Sequence, residues 1–256
     1  VIIVTGGAGL LGRNYAEALA SAGAHVVVAD LNGKAVEELA MRVPGALAVQ
    51  VDVTRPDSVA AMVETAKTHF DRVDGLINNA AIDPKFDRLR ANERRWDFES
   101  FPLEEWKQAL DVNLTGTFLC TQAVIREMRA RGTGAIVNIS STYGLVGPDQ
   151  RLYATQDGER ATKPASYSVT KSAMIGFTRY LAAYLAGTGI RVNTLSLGGV
   201  FANHDEGFVE RYSSRTPLGR MAREDEYNSS VVFLLSDASS YMTGANLIVD
   251  GGWTAW

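Results

Sequence analysis

The 256-residue sequence predicts an α/β protein: a doubly wound, parallel, seven-stranded sheet with helices on both faces, folded as a single domain. Three observations carry that expectation. Seven short β-branched runs alternate with amphipathic helical stretches from one end of the chain to the other. The runs are apolar almost throughout, which is how strands covered on both faces of a parallel sheet read. No internal repeat and no linker rich in Pro, Gly or Ser divides the chain.

The elements follow in order. Val1–Val4 is a β-branched strand that runs into glycine, and Leu11–Ala22 has the spacing of an amphipathic helix. His25–Ala29 and Ala46–Val51 are the second and third strands, with a helical stretch at Ala35–Arg42 between them. Asp57–Phe70 is a helix and Gly75–Asn78 the fourth strand. Glu104–Arg129 reads as one long helix before the strand Ala135–Ile139. The helix Ala165–Ala186, the strand Arg191–Leu195, the helix Asp225–Leu235 and the strand Asn246–Val249 complete the set. Such alternation builds βαβ units, whose helical crossovers make successive strands parallel.

Composition removes several classes of function. Twenty-five basic against 29 acidic residues give a net charge of −4, so no nucleic-acid or anionic membrane partner is expected. The single cysteine, Cys120, excludes an internal disulfide and suits a reducing cytoplasm. His25, His69 and His204 lie far apart without ligand spacing, so no metal centre is expected. The first apolar run is too short for a signal peptide, and no later one approaches a membrane span. The expectation is a soluble, cytoplasmic protein.

Thr5-Gly-Gly-Ala-Gly-Leu-Leu-Gly12 follows the first strand directly and opens the first helix. Gly6, Gly9 and Gly12 can turn tightly, admit a pyrophosphate close to the backbone, and let helix pack on strand. The helix N-terminus then offers N–H groups and partial positive charge to phosphate. A glycine motif alone is weak; a strand before, a helix after and an acid closing the second strand make it strong. That acid is Asp30, 18 positions after Gly12. A carboxylate there accepts both ribose hydroxyls of NAD and repels the 2′-phosphate of NADP, so NAD is favoured. Capping of the next helix is the plainer alternative for Asp30. Asp52, at the end of the third strand, could reach an adenine amino group. Asn78-Asn79-Ala80-Ala81 ends the fourth strand, again where open α/β sheets bind ligands.

Ser141 lies just beyond the strand Ala135–Ile139, and Tyr167 and Lys171 stand four apart on one helical face. A phenol with its ordinary pKa near 10 is a poor base at neutral pH, and a nearby ammonium favours the phenolate. That tuning suits proton transfer to or from an alcohol, while a serine hydroxyl can hold the oxygen on which charge develops. A bare pair of Tyr and Lys at this spacing would otherwise be surface decoration.

The pair does not stand alone. TGGAGLLG, Asp30, Asp52, NNAA, Asn113 in DVNLTG, NISS, YSVTK, RVNTLSLGG and VDGG occur in this order. Together they resemble the short-chain dehydrogenase/reductase family, in its Rossmann-type single-domain branch, over essentially the whole chain. The resemblance implies a catalytic tetrad of Asn113, Ser141, Tyr167 and Lys171. Tyr167 would exchange the proton, and Lys171 would lower its pKa and bind the nicotinamide ribose. Ser141 would orient the carbonyl or alcohol, and Asn113 would hold a water linking Lys171 to solvent. The implied dinucleotide contacts are Gly6, Gly9, Leu10, Leu11 and Gly12, then Asp30, Leu31, Asp52 and Val53. Asn79, Ala80, Ala81, Gly198 and Val200 complete them, with Tyr167 and Lys171. Hydride would pass directly between substrate carbon and nicotinamide, so no metal is implied. A homotetramer or homodimer is also implied, and the apolar last strand followed by Trp253 and Trp256 suits an interface.

The sequence departs from the family pattern in several places. The glycines read TGxxGxxG with Leu10 at a position usually occupied by glycine, NNAA replaces NNAG, and Leu197 replaces a proline. Ala202 stands where a threonine often binds the carboxamide, leaving Asn203 as the alternative. Two loops are longer than usual, residues 83–101 and 148–164, and both leave the carboxyl ends of strands, where substrate must enter. Arg88, Arg90, Arg94, Arg95, Arg151, Arg160 and Lys163 could bind a substrate anion or simply pair with neighbouring acids. Residues 203–223 are expected to close over the substrate, with Phe208, Tyr212 and Met221 lining the pocket or anchoring the lid. The charged loops and the bacterial sugar-modification subgroup that the tail resembles point to a polar substrate, such as a sugar phosphate or nucleotide sugar. A reductase of acyl thioesters or simple carbonyls, and a non-catalytic dinucleotide-binding subunit, are the alternatives.

Overall fold

The seven apolar runs pair into one parallel sheet in the order β3-β2-β1-β4-β5-β6-β7. The structure is a computed structural model and describes residues 1–83, 97–153 and 162–256. The strands are β1 (Ile2–Thr5), β2 (Val26–Asp30), β3 (Leu47–Gln50), β4 (Gly75–Asn78), β5 (Gly134–Ser141), β6 (Ile190–Leu197) and β7 (Asn246–Val249). Between them run α1 (Leu10–Ser21), α2 (Gly33–Ala40), α3 (Pro56–Phe70), α4 (Leu103–Leu110) and α5 (Gly116–Arg131). The later helices are α6 (Ala165–Tyr184), α7 (Glu206–Ser214) and α8 (Asn228–Leu235).

Successive side chains of a strand point to opposite faces, and here each face has its own core. Ile3, Val27, Leu76 and Ile136 pack with Met62 of α3, Val124 of α5 and Leu181 of α6. Val4, Val28, Ile77 and Val137 pack with Tyr15 of α1, Leu39 of α2 and Val231 of α8. Both faces are therefore covered, which is why β1, β2 and β4 carry no polar alternation; the polar side chains of β5 and β6, such as Asn138 and Thr194, are buried on hydrogen-bond partners. Burying each apolar side chain of these cores stabilises the fold by about 1.5–3 kcal/mol. Among the described residues, no helix is long and apolar enough to cross a membrane.

Most elements shift by one to three residues from the sequence expectation, and three differences bear on the site. The long helix expected over Glu104–Arg129 is α4 and α5 joined by a π-helical turn, Asp111–Thr115. Such turns insert one residue into a helix and are frequent at functional sites. β5 and β6 pair along eight residues, from Gly134 opposite Ile190 to Ser141 opposite Leu197. That pairing makes Ser141 the last residue of β5, where it had been expected just beyond the strand. β3 ends at Gln50, so Asp52 lies two residues past it. Residues 203–223 contain α7, which Asp205 caps by accepting a hydrogen bond from the Phe208 amide at 3.0 Å. Of the loop candidates, Arg88, Arg90, Arg94, Arg95, Arg160 and Trp96 lie outside the described residues.

Candidate active site

The chain leaves β1 for β2 and β3, then returns to place β4 on the other side of β1, so a crevice opens between the carboxyl ends of β1 and β4. Thr5 and Asn79 tie those two ends together. The Thr5 hydroxyl accepts from the amides of Asn79 and Ala80 at 3.1 and 3.2 Å. The Asn79 side chain donates to the carbonyls of Thr5 and Gly6 at 3.1 and 3.0 Å. Gly6 has φ +61, and a Cβ there would meet the Ala80 backbone at 2.8 Å. A Cβ on Gly12 would lie 2.1 Å from the Gly6 carbonyl, so only glycine lets α1 sit against this loop. Gly9 is the N-cap of α1 and makes no side-chain cap, which leaves first-turn amides available to an anion.

Asp30 closes β2 and is held by two amides, Ala8 at 3.1 Å and Asn32 at 3.1 Å. The cap of α2 is Asn32, whose side chain accepts from Ala35 at 3.1 Å; capping is therefore not the role of Asp30. Asp52 accepts from the Thr54 hydroxyl at 2.7 Å and the Thr54 amide at 3.0 Å, and these bonds hold its carboxyl below the usual range. A cleft of about 1390 Å³ runs from this loop across the carboxyl edge of the sheet. Every dinucleotide candidate except Gly12 lines it, together with Ser141, Tyr167 and Lys171. A flat glycine cradle, open helix amides and a carboxylate at the end of β2 in one cleft fit a dinucleotide.

Three of the four tetrad candidates, Ser141, Tyr167 and Lys171, line the cleft, and Asn113 is buried behind them. Ser141 arrives on β5, Tyr167 and Lys171 on α6, and Asn113 on the π-helical turn. The Ser140 hydroxyl donates to the Lys171 carbonyl at 2.7 Å, which seats this turn of α6 on the end of β5. Lys171 is buried and donates to the Ile139 carbonyl at 2.9 Å. Burial pushes its pKa down to about 8; Asp83 opposes that shift and Lys163 adds to it. Burial, with Asp83 adding to it, raises the Tyr167 phenol above its ordinary value, and a hydrogen bond with Ser141 works the other way. Asn113 is buried with its amide shared between the Ile82 carbonyl at 3.1 Å and the Thr170 hydroxyl at 3.2 Å. Its carbonyl oxygen accepts from the Ile82 amide at 2.7 Å. Thr170 in turn donates to the Tyr167 carbonyl at 3.0 Å, so Asn113 braces the helix that carries Tyr167 and Lys171.

Tyr143, Leu152 and Tyr153 beside this group escape sequence reasoning, and Trp253, expected at an interface, is instead buried against Tyr212. Tyr143, Leu152, Tyr212, Met221 and Trp253 form a third apolar cluster, with Tyr153, Tyr167 and Phe208 packed against it. Phe208, Tyr212 and Met221 therefore both line the cleft and anchor the segment that carries them. Arg211 of α7 donates to the Leu152 carbonyl at 3.1 and 3.0 Å, and Arg215 pairs with Asp149. Arg151 pairs with the same Asp149 at 2.7 Å and is exposed, as expected of a surface charge. Lys163 lies over the Tyr167 ring, 4.2 Å from its centroid, and pairs with Asp83. Its position four residues before Tyr167 was a usable signal, hidden by the intervening Pro164.

Comparison with known proteins agrees with this geometry. A family model described as enoyl-(acyl carrier protein) reductase matches residues 7–254. The cis-4-hydroxycyclohexanecarboxylate dehydrogenase of Sinomonas cyclohexanicum is 36% identical over 262 residues, covering 100% of this chain and 96% of that protein. A short chain dehydrogenase from Leptospira borgpetersenii, solved with bound NAD+, is 35% identical with a TM-score of 0.86, covering 99% of this chain and 92% of that one. A gluconate 5-dehydrogenase from Burkholderia cenocepacia, solved with NADP and tartrate, is 30% identical with a TM-score of 0.86, covering 100% and 95%. Sheet order, cleft and relatives define an oxidoreductase that acts on CH–OH groups and takes a nicotinamide dinucleotide. The chain belongs to the short-chain dehydrogenase/reductase family.

Proposed function

We propose that the chain is an NAD-dependent dehydrogenase that interconverts a polar, ring-sized secondary alcohol and its ketone, with Tyr167 as general acid and base. The observation that carries this is the shared cleft: Ser141, Tyr167 and Lys171 line the space that Gly6, Gly9 and Asp30 also line. The cleft exceeds the roughly 300–1,000 Å³ of an ordinary ligand pocket, which leaves room for a second molecule beside a dinucleotide. Asp30 supports NAD over NADP, because a ribose phosphate would meet its charge.

In the oxidative direction the Tyr167 oxygen takes the hydroxyl proton of the substrate. Ser141 donates a hydrogen bond to that oxygen as it becomes a carbonyl. The Lys171 ammonium favours the phenolate, and Asn113 keeps α6 in register with the segment after β4. The dinucleotide, when bound, supplies the hydride acceptor, or the donor in the reverse direction. Tyr143, Tyr153 and Phe208 offer ring faces to the carbon skeleton of the substrate. Asp83, Leu152, Tyr153 and Lys163 and the segment 203–223 line that end of the cleft, and sugar phosphates, nucleotide sugars and hydroxylated carboxylates are its candidate ligands. A homotetramer or homodimer is the proposed assembly, supported by Tyr180, Tyr184 and Trp256 standing exposed. A reducing, cytoplasmic setting is supported by the one buried thiol.

The test follows NADH formation with NAD and a panel of sugar phosphates, nucleotide sugars, polyols, sugar acids and hydroxycyclohexanecarboxylates. Tyr167→Phe runs beside each assay and is expected to lose about 10²- to 10⁴-fold in kcat while still binding NADH. Full activity in the variant overturns the role of Tyr167. Binding without turnover across the panel points instead to a dinucleotide-binding subunit.

A further inference from the structure

We propose that Lys163 and Asp83 form a second charge pair acting on the Tyr167 phenol, as positioning residues delivered by the segments that follow β5 and β4. The inference rests on the reading of Tyr167 as the acid–base group. Lys163 approaches the Tyr167 ring more closely than Lys171 does, 4.2 Å against 5.8 Å to the centroid. Its side chain is only 11% exposed, and Asp83, at 47%, is its ion-pair partner. An ammonium withdrawn from water at such a place needs a counter-charge, and Asp83 supplies it.

Both charges are held by backbone clamps. The Lys163 amide donates to the Gln150 side chain at 2.8 Å, and that side chain donates back to the Lys163 carbonyl at 3.3 Å. Pro164 follows as the N-cap of α6, with the Tyr167 amide donating to its carbonyl at 3.2 Å. A residue before proline is steered to extended backbone, so Lys163 lies outside the helix yet one turn from Tyr167. Asp83 follows Ile82, which Asn113 grips at both its amide and its carbonyl. A solvated surface pair would have neither clamp.

Among the described residues, the groups that act on Tyr167 come from every neighbouring element. They are Lys171 on α6, Lys163 before it, Asp83 after β4, Tyr143 after β5, Tyr153 in the turn at 150–153 and Tyr212 on α7, with the Ser141 hydroxyl. Burial holds the phenols of Tyr153 and Tyr212 neutral, so the charges that bias Tyr167 are Lys163, Lys171 and Asp83. Lys163 favours the phenolate and Asp83 the phenol. Removing one partner exposes the field of the other.

The signs follow directly. Lys163→Met leaves Asp83 alone, which makes both Tyr167 and Lys171 hold their protons to higher pH. Asp83→Asn leaves Lys163 alone, which makes both release earlier. Tyr167 and Lys171 titrate as a coupled group, yet each substitution moves both in the same direction, so the sign survives the coupling.

The first measurement needs no substrate: NMR of the protein labelled with ¹³Cε-lysine, titrated from neutral to alkaline pH, with Lys171 assigned through Lys171→Met. The Lys171 midpoint is expected to rise by about one pH unit in Lys163→Met and fall by about one in Asp83→Asn. Lys163→Arg and the double variant Lys163→Met/Asp83→Asn are expected to stay near the parent value. The second measurement is the pH profile of kcat on whichever panel compound turns over; its limb is expected to move with the same signs. Shifts of one sign in both single variants, or none in proteins that remain folded by circular dichroism, overturn the proposal. So do opposite shifts at Lys171 beside an unmoved activity limb. Turnover that survives Tyr167→Phe fails the parent reading instead, and the substrate-free titration keeps the two failures apart.

Discussion

Asp30 uses both carboxylate oxygens on backbone amides, and this fixes its charge at the end of β2. If that charge selects NAD, its loss should be read in the ratio of the two dinucleotides and not in affinity alone. Asp30→Ala is expected to weaken NADH by about 10- to 100-fold, the worth of a hydrogen bond to a charged group, and to weaken NADPH less. Fluorescence titration of both reduced dinucleotides measures the ratio; an unchanged ratio would reassign Asp30 to bracing the glycine loop. Residues such as Asp30, Gly12 and Tyr167 are legible in sequence because their meaning lies in short spacings along one strand or helix. Asp83 is not, because its partner Lys163 is 80 residues away and chain spacing carries no trace of that contact. The two bonds that the Asn113 side-chain nitrogen donates, to the Ile82 carbonyl and the Thr170 hydroxyl, are hidden for the same reason.

Helix α7 shows how an element is held over a site by a few named contacts. Its Tyr212 hydroxyl accepts from the Gly199 amide at 2.6 Å, and its ring stacks on Trp253 at 4.2 Å. Arg211 and Arg215 fasten it to the turn at 150–153 and to Asp149. Tyr212→Phe keeps the stacking and deletes the acceptor, leaving the Gly199 amide without its bond. Stability is expected to fall by about 1–3 kcal/mol, read from the midpoint of denaturant unfolding. An unchanged midpoint would mean that water replaces the hydroxyl without cost. The sequence announced a closing segment here but no helix within it, although Phe208 and Tyr212 stand at helical spacing, because the apolar stripe is only two turns long. In the same way Glu104–Arg129 has continuous helical periodicity, and one inserted residue at the π-helical turn does not break that pattern. The other helices and all seven strands were legible; α7 and the irregularity that carries Asn113 were not.

At the scale of the molecule, the strands were legible because two cores demand apolar side chains on both faces of one sheet. Cys120 lies inside the first of those cores, 1% exposed, with its thiol pushed up to about 12 by burial. It does not itself line the cleft, although Val51 and Val53 of the lining belong to the same core, so its exposure requires that core to open. A thiol that reacts only after global opening is slowed by the unfolding equilibrium, here expected to be about 10³-fold or more relative to a free thiol. Labelling with an aromatic disulfide reagent should therefore be slow in the native protein and should reach one equivalent in denaturant. Ligands that bind only the folded state make opening rarer, so NADH at about 100 times its Kd should slow labelling by a further factor of about 100. The Asp30→Ala protein should need correspondingly more NADH for the same protection. Fast labelling of the native protein would show that α5 opens locally and independently of the sheet. Slow labelling that NADH leaves unchanged would detach dinucleotide binding from the folded core, and with it the proposal that Gly6, Gly9 and Asp30 form the binding site.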